Sequence, residues 1–471
     1  MRDGARAVRI GVGVAACVAL LLPVCGFAPD PAQSIRADFI VTAAPAYEPL
    51  AALRGQERFK KGAQLLLVHE GKAEPLVTGF AATADANVAF DAKRVLFAGK
   101  RAAGDAWQVW ELKLRDHSLR QLTTGAADAI RPLYLPGGRM VYAERTPLGF
   151  QLESARIDDR AATLAMEPAG TPAVLALTYM QASALPADVV ADGRILFESG
   201  FPLGTGSTPE LYLVYADGSG VESYRCDHGQ ARWGGKQLAS GDVVFTQGAS
   251  LARFTSPLAH EERVAAPHAE YAGAIAETAA GEWLMSARSA AGAVYAIKLW
   301  KPGAAAMKTV LAESGENLVE PVLLAPRTWP HRHPSGLHPW DYANMLALDA
   351  RLSRDGALKG VPAQVRLEME DAQGHAVAMG TAPVEQDGSF FVKVPGDKPI
   401  RFALLDARGA VLRHEMGWFW IRSGEQRICV GCHTGPERAS ENRVPAVLLR
   451  TTTPVDLSGA ATTQPRSTGG N

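Results

Sequence analysis

The sequence predicts an all-β protein: an N-terminal β-propeller, a small β-sandwich behind it, and a short cysteine-bearing segment near the C-terminus. Two observations carry this. A turn-then-strand phrase recurs as DAKRVLF (91–97), PGGRMVY (136–142), ADGRILF (191–197), ASGDVVF (239–245) and AAGEWLM (279–285). Its ends fall 45, 55, 48 and 40 residues apart, the period of four-stranded propeller blades. Further on, QVRLEME, SFFVKV, IRFALLD and GWFWI crowd several short strand-like runs between turns at Asp387-Gly388 and Ala407-Arg408-Gly409. That spacing is the signature of a small sandwich.

A chain of 471 residues is long enough for two or three domains. Its 47% hydrophobic and 21% charged residues suffice for sizeable cores. The formal net charge is −1, and the lysines and arginines are scattered without a basic run. Nucleic acid is therefore not an expected partner.

The first 28 residues read as a secretory signal. Arg2, Arg6 and Arg9 precede an uncharged apolar run from Ile10 to Val24, a basic region followed by a short hydrophobic one, with cleavage expected near Ala28. The run falls short of the ~20 apolar residues that span a bilayer, so no membrane span is expected after cleavage. The expected location is periplasmic or extracellular. An uncleaved anchor and lipidation at Cys25 are the alternatives; Val24 is bulkier than the residue that normally precedes a lipidated cysteine.

The propeller is assigned to residues 29–325. Between the recurring phrases lie further strands, WQVWELKL (107–114), ELYLVYADGSG (210–220) and AVYAIKLW (293–300). The first is followed by the polar turn RDHS and then RQLTTG, an order that resembles the blade of TolB-like, PD40-type propellers. Residues 326–360 form a linker rich in proline and histidine, where a hydrophobic period gives way to Pro326, Pro330, Pro334 and Pro339. The sandwich follows at 361–422 and the cysteine-bearing segment at 423–450. The end, 451–471, is rich in Thr, Ser and Gly without an apolar pattern, and is expected to be disordered.

Five cysteines are present: Cys17, Cys25, Cys226, Cys429 and Cys432. Removal of the signal leaves three, an odd number that simple disulfide pairing does not use up. Cys429-Val430-Gly431-Cys432-His433 spells C-x-x-C-H. Covalent haem attachment needs two thiols at this spacing and an imidazole directly after the second, which becomes the proximal iron ligand. A random match is expected in roughly one protein in a thousand of this length. One covalent haem c on Cys429, Cys432 and His433 is the expected cofactor. A structural zinc is the alternative, needing a fourth ligand and usually a second paired motif. A plain disulfide leaves His433 unexplained, and a thioredoxin-like dithiol lacks its βαβ setting.

The sixth iron position decides between electron transfer and small-molecule chemistry. His414 and Met416 are candidates for it; as ordinary strand residues they need no function. His331, His333 and His338 form a second pool, equally readable as a solvated loop. Cys226 and His228, with Asp227 between them, offer a metal site if another group joins them from elsewhere; the plain reading is a buried, inert blade cysteine. Trp340, Trp418, Phe419 and Trp420 either shield a haem or fill a core. No P-loop, nucleophile elbow or H-E-x-x-H occurs, so hydrolase mechanisms have no support.

The phrases VEQDGSFFVKVPGDKPIRFALLDARGAVL, GWFWIRSGEQRICVGCH and ENRVP together resemble the hydrazine synthase α-subunit family. The resemblance implies an N-terminal propeller, a β-rich middle domain and a c-type haem segment, with Cys429 and Cys432 as thioether cysteines and His433 as the motif histidine. The family's enzyme is a two-haem chain with a tyrosine ligand one turn past the motif. Here there is one C-x-x-C-H, Glu437 stands at the tyrosine position, and no tyrosine follows Tyr342. These departures argue against hydrazine synthesis. The expected function is an exported monohaem c-type protein whose haem transfers electrons to or from a redox partner protein, or serves as a redox centre, at the propeller–sandwich junction. The alternatives are a haem-dependent oxidoreductase acting on a small nitrogen compound, and a propeller binding protein with zinc at the C-x-x-C-H.

Overall fold

The protein's structure is a computed structural model that describes residues 38–157, 172–200, 208–225, 231–353, 356–371, 375–415, 417–432, 434 and 441–459. The expected signal, residues 1–28, lies outside them. The described residues form an all-β protein, as the sequence predicts, with eight four-stranded sheets.

Six of these sheets are propeller blades. Each recurring phrase is the turn into the second strand of a blade: Arg94–Lys100, Arg139–Thr146, Ile195–Ser199, Val243–Gln247 and Trp283–Arg288. These strands are buried along most of their length because blades stack face to face, so they read as short continuous apolar runs. The sixth blade is split. Its first strand is Asn317–Leu323 and its second is Phe39–Ala44, paired antiparallel with Ala44 opposite Asn317. The start of the chain thereby closes the ring.

The innermost strands surround the axis: Ala82–Val88, Ala129–Leu135, Ala184–Val189, Arg232–Gln237, Glu270–Glu277 and Asn317–Leu323. All six have a break in register against the second strand, between Ala84 and Asn87, Ile130 and Leu133, Pro186 and Asp188, Trp233 and Lys236, Ala272 and Ala276, and opposite Ile40 and Thr42. These are β-bulges at equivalent places, which tighten the twist and re-aim side chains. Asp85, Arg131 and Glu320 sit in them with φ of 59°, 49° and 56°, a conformation unfavourable for residues other than glycine. Carboxylates staple the bulges between blades: Arg131 N donates to Asp85 Oδ2 (3.0 Å), Gly234 N to Glu198 Oε1 (2.7 Å) and Gln237 N to Asp188 Oδ2 (3.0 Å).

The loop 45–63, with a 3-10 turn at Ala52–Arg54, plugs one end of the axis. Its Leu53 and Phe59 pack with Ala84, Ile130, Leu185, Trp233, Ala272 and Val319, one residue from each innermost strand. Segment 325–333 crosses the other end. Arg327 N donates to Phe90 O (3.0 Å) and His331 N to Ala191 O (2.8 Å), while Trp329 packs on Phe90 and His333 stacks on Tyr215.

Two sheets make the sandwich. One has Ala376–Pro383, Gln364–Glu370, Ile400–Leu405 and Val411–His414 in that order. The other has Gln426–Gly431, Tyr342–Asp349, Phe390–Pro395 and Val455–Asp456. The sandwich therefore takes in Tyr342–Asp349 from the stretch expected as linker, Gln426–Gly431 from the expected cysteine segment, and Val455–Asp456 from the tail expected to lack structure. Each supplies main-chain partners that local composition does not reveal. A five-residue helix, Ala446–Arg450, follows Pro445. Trp420, 1% exposed, inserts among Leu133, Leu177 and Phe197 of the propeller. Beside it Arg422 Nη1 donates to Asp397 Oδ1 (2.8 Å) and to the Tyr179 hydroxyl, and Gly220 N donates to Glu425 Oε1 (3.3 Å).

Candidate functional site

Cys429 lies on the edge strand Gln426–Gly431, which runs parallel to Tyr342–Asp349 with Ala347 beside Cys429. Strand alternation sends Ile428 outward, 65% exposed, and Cys429 inward. Cys429 and Cys432 both pack against the apolar core between the sheets, and both are free thiols. Burial raises both thiols, Cys432 to about 12. Glu415 adds to that rise, while Arg413 opposes it at Cys432 and Arg427 at Cys429. The C-x-x-C pair is thus half-buried, and its raised thiols are neutral and poor nucleophiles.

The residues flanking the pair are there to place it. Gly424 has φ of 81°, and a Cβ on it would come within 2.0 Å of the His338 carbonyl oxygen. Only glycine lets the crossing loop pass so close. His338 N donates to Gly424 O (2.9 Å), and Gln426 Nε2 lies 2.8 Å from His338 Nε2. Glu425 accepts from Arg422 N (3.0 Å) and pairs with Arg427 (2.8 Å), and its bond from Gly220 N together with that of Arg427 Nη1 to Val221 O (3.3 Å) ties the segment to the propeller. Gly431 passes 2.8 Å from Leu352 by the same measure. The D-G-S-F phrase is a turn in which Asp387 accepts from Ser389 N (3.0 Å) and Ala446 N (2.8 Å).

His414 is brought elsewhere. It pairs with Ala403 across the sheet, and Arg413 with Leu404. Leu404 belongs to the inter-sheet core, so Arg413 faces the cysteines and His414 the outer face. There His414 Nε2 donates to Glu368 Oε2 (2.9 Å), which also accepts from Arg401 Nε (2.9 Å), while Arg366 Nη2 donates to Oε1 (2.7 Å). Burial acts to raise Glu368, but these three donors prevail and hold it at about 2. Stability from this depressed carboxylate is present above its ordinary value of 4.5 and is lost as pH falls through about 2. Glu368→Gln is expected to flatten the acid limb of stability between those pH values, measured by urea midpoints; an unchanged limb would refute the assignment.

Met416, His433, Cys226 and His228 lie outside the described residues. His331 binds the propeller through its backbone, His333 stacks on Tyr215, and His338 stacks on Trp340. Trp418 lies under Arg401, Phe419 packs against the sandwich core, and Trp420 belongs to the junction. Among the described residues no group of three or more His, Cys, Asp or Glu is placed to hold a metal ion, and no helix is long and apolar enough to cross a membrane. Arg413 and Glu415 as neighbours of the thiols went unread in the sequence, although their alternation with His414 was the available signal. Arg413 Nη2 donates to Gly356 O (2.6 Å), whereas its Nη1 is buried without a partner.

Residues 370–434 match the family model described as the hydrazine synthase alpha subunit middle domain. Among solved structures the chain is similar to Kuenenia stuttgartiensis hydrazine synthase, with a TM-score of 0.76 and 17% identity over 88% of this chain and 72% of that one. TolB from Acinetobacter baumannii gives a TM-score of 0.44 and 11% identity over 61% of this chain and 66% of its own. A putative TolB from Agrobacterium tumefaciens gives 0.39 and 12% over 59% and 90%. No curated protein matches. The resemblance to the hydrazine synthase α-subunit family, read from the C-terminal phrases, is thus carried by the family model and by the fold.

Proposed function

We propose that this chain is an exported monohaem c-type protein that exchanges electrons with a redox partner protein, its haem held through Cys429 and Cys432 with His433 as the proximal ligand. The observation that supports this reading best is the setting of the two sulfurs. They share one apolar wall at C-x-x-C spacing, with Ala347 beside Cys429. Thioether sulfur is neutral, so burial that pushes Cys432 up to about 12 costs it little. Zinc needs thiolates, which the same burial disfavours. Haem supplies a one-electron couple when bound. Arg413 fits such a group: its partnerless Nη1 would be the donor for a haem carboxylate, a charge-assisted pairing well suited to guanidinium. The sandwich core and the partly buried Phe419 give the half-buried sulfurs an apolar side.

The test is the absorption spectrum, oxidised and reduced, of protein exported from a host with cytochrome c maturation, together with its mass after denaturation. Covalently retained haem with a sharp reduced α-band is expected, and Cys429→Ala is expected to abolish both. Protein that holds zinc and no haem would overturn the proposal. A shift of the reduced band under carbon monoxide would replace the electron carrier with an open-site oxidoreductase.

A further inference from the structure

The propeller axis holds a second feature that the haem reading leaves unused. Between the 45–63 plug and the crossing segment 325–330 is a cavity of about 730 Å³, within the range of sites that enclose small organic molecules. Val88, Leu133, Val189, Ile275 and Val322 give it apolar walls, and charged groups gather at the plug end. Arg58 Nη2 donates to Asp85 Oδ1 and its Nη1 to Glu320 Oε1, both at 2.5 Å, and Arg131 Nη1 donates to Glu198 Oε1 at 3.1 Å. Asp188, Lys236, Glu277 and Arg327 also line the cavity, with Lys236 Nζ on Asp188 Oδ1 at 2.7 Å; five carboxylates thus stand against four cations, Arg58 included, leaving one formal negative charge in surplus.

Glu198 is the carboxylate of this lining that has an unmet oxygen. It is 1% exposed and lines the cavity. Its Oε1 accepts from Arg131 and from Gly234 N, but its Oε2 is buried with no partner. A buried carboxylate oxygen is costly unless a donor meets it. The groups beside it that could donate are already committed: Arg131 to Oε1 and Arg58 to Asp85 and Glu320.

We propose that the axial cavity is a binding site for a monocationic organic amine, whose ammonium donates to Glu198 Oε2 while its apolar body lies along the Val88, Leu133 and Ile275 walls. The ring of bulges preorganises this site. Asp85, Arg131 and Glu320 are held at positive φ by neighbouring blades rather than by local preference, the kind of conformation that persists when surroundings over-determine it. The site owes nothing to haem and stands or falls apart from it.

The experiment is calorimetric titration of the full chain, with and without its cofactor, using n-butylamine and benzylamine at neutral pH and n-butanol and benzyl alcohol as uncharged counterparts. Saturable binding of the amines and not of the alcohols is expected. Glu198→Gln keeps an acceptor for Arg131 and Gly234 but turns a donor toward the cavity, and should weaken the amines about tenfold or more. Ala274, which lines the cavity, offers an independent variant: Ala274→Leu fills the space without touching the ion pairs and should also weaken binding. If Glu198→Gln does not fold, Ala274→Leu decides alone. No saturable amine binding by the wild type, equal binding of the alcohols, or undiminished binding in folded Glu198→Gln or Ala274→Leu would each overturn the proposal.

Discussion

Arg58→Ala is expected to destabilise the propeller by about 3–5 kcal/mol, the cost of breaking a buried ion pair from one side. The Arg58 side chain is 3% exposed and is the plug's polar anchor, holding Asp85 and Glu320 on two different blades. Burial acts to lower its pKa, but Asp85 and Glu320 more than compensate and carry it above its ordinary value. Without it, two largely buried carboxylates face each other with no guanidinium between them. Burial already raises Glu320, partly offset by Arg58; in the variant that rise grows. A carboxyl with a raised folded-state pKa loses stability as pH climbs through that value, so the defect should be larger at pH 8 than at pH 5. Urea unfolding at the two pH values measures this. A loss below about 1 kcal/mol, or one identical at both, would show that the axial network does not bear on stability.

Trp420→Ala is expected to cost about 3–5 kcal/mol, as large-to-small changes in packed cores do. Trp420 is a sandwich-side residue buried in the core formed by the second and third blades. Its loss leaves the polar contacts at the junction, Arg422 with Asp397 and Glu425 with Gly220 N, without the apolar contact that excludes water from them. Amide exchange in 420–427 should therefore quicken in the variant before exchange in the blade centres does. Denaturant midpoints within about 0.5 kcal/mol of the wild type would sink this account of the junction.

Much of this protein is legible from its neighbouring residues. The turn-plus-strand phrases are written locally: Asp192 accepts from Arg194 N (3.0 Å) in ADGRILF, as Asp387 accepts from Ser389 N in DGSF, and such turns need only residues two apart. The C-x-x-C-H is equally local, because its chemistry is a spacing. Two further signals were present but unread. Arg131-Pro132 and Glu320-Pro321 interrupt otherwise apolar strands, and a charged residue followed by proline in such a run marks a bulge rather than a regular ladder.

By itself, the sequence determined the strands, their turns, the repeat and the paired cysteines, all of which depend on alternation and on contacts a few residues long. Tertiary structure alone decided how those pieces close. The sixth blade joins Phe39–Ala44 to Asn317–Leu323, and the Thr42–Glu320 contact within it spans 278 residues. Tyr342–Asp349 became a sandwich strand because Gln426–Gly431 and Phe390–Pro395 flank it. His414 turned to Glu368 and Arg413 toward the thiols because the register with Ile400–Leu405 fixed which face each took. The anionic surplus at the axis exists only where six strands, distant in the chain, converge. Register, closure and charge balance depend on partners that no local window contains.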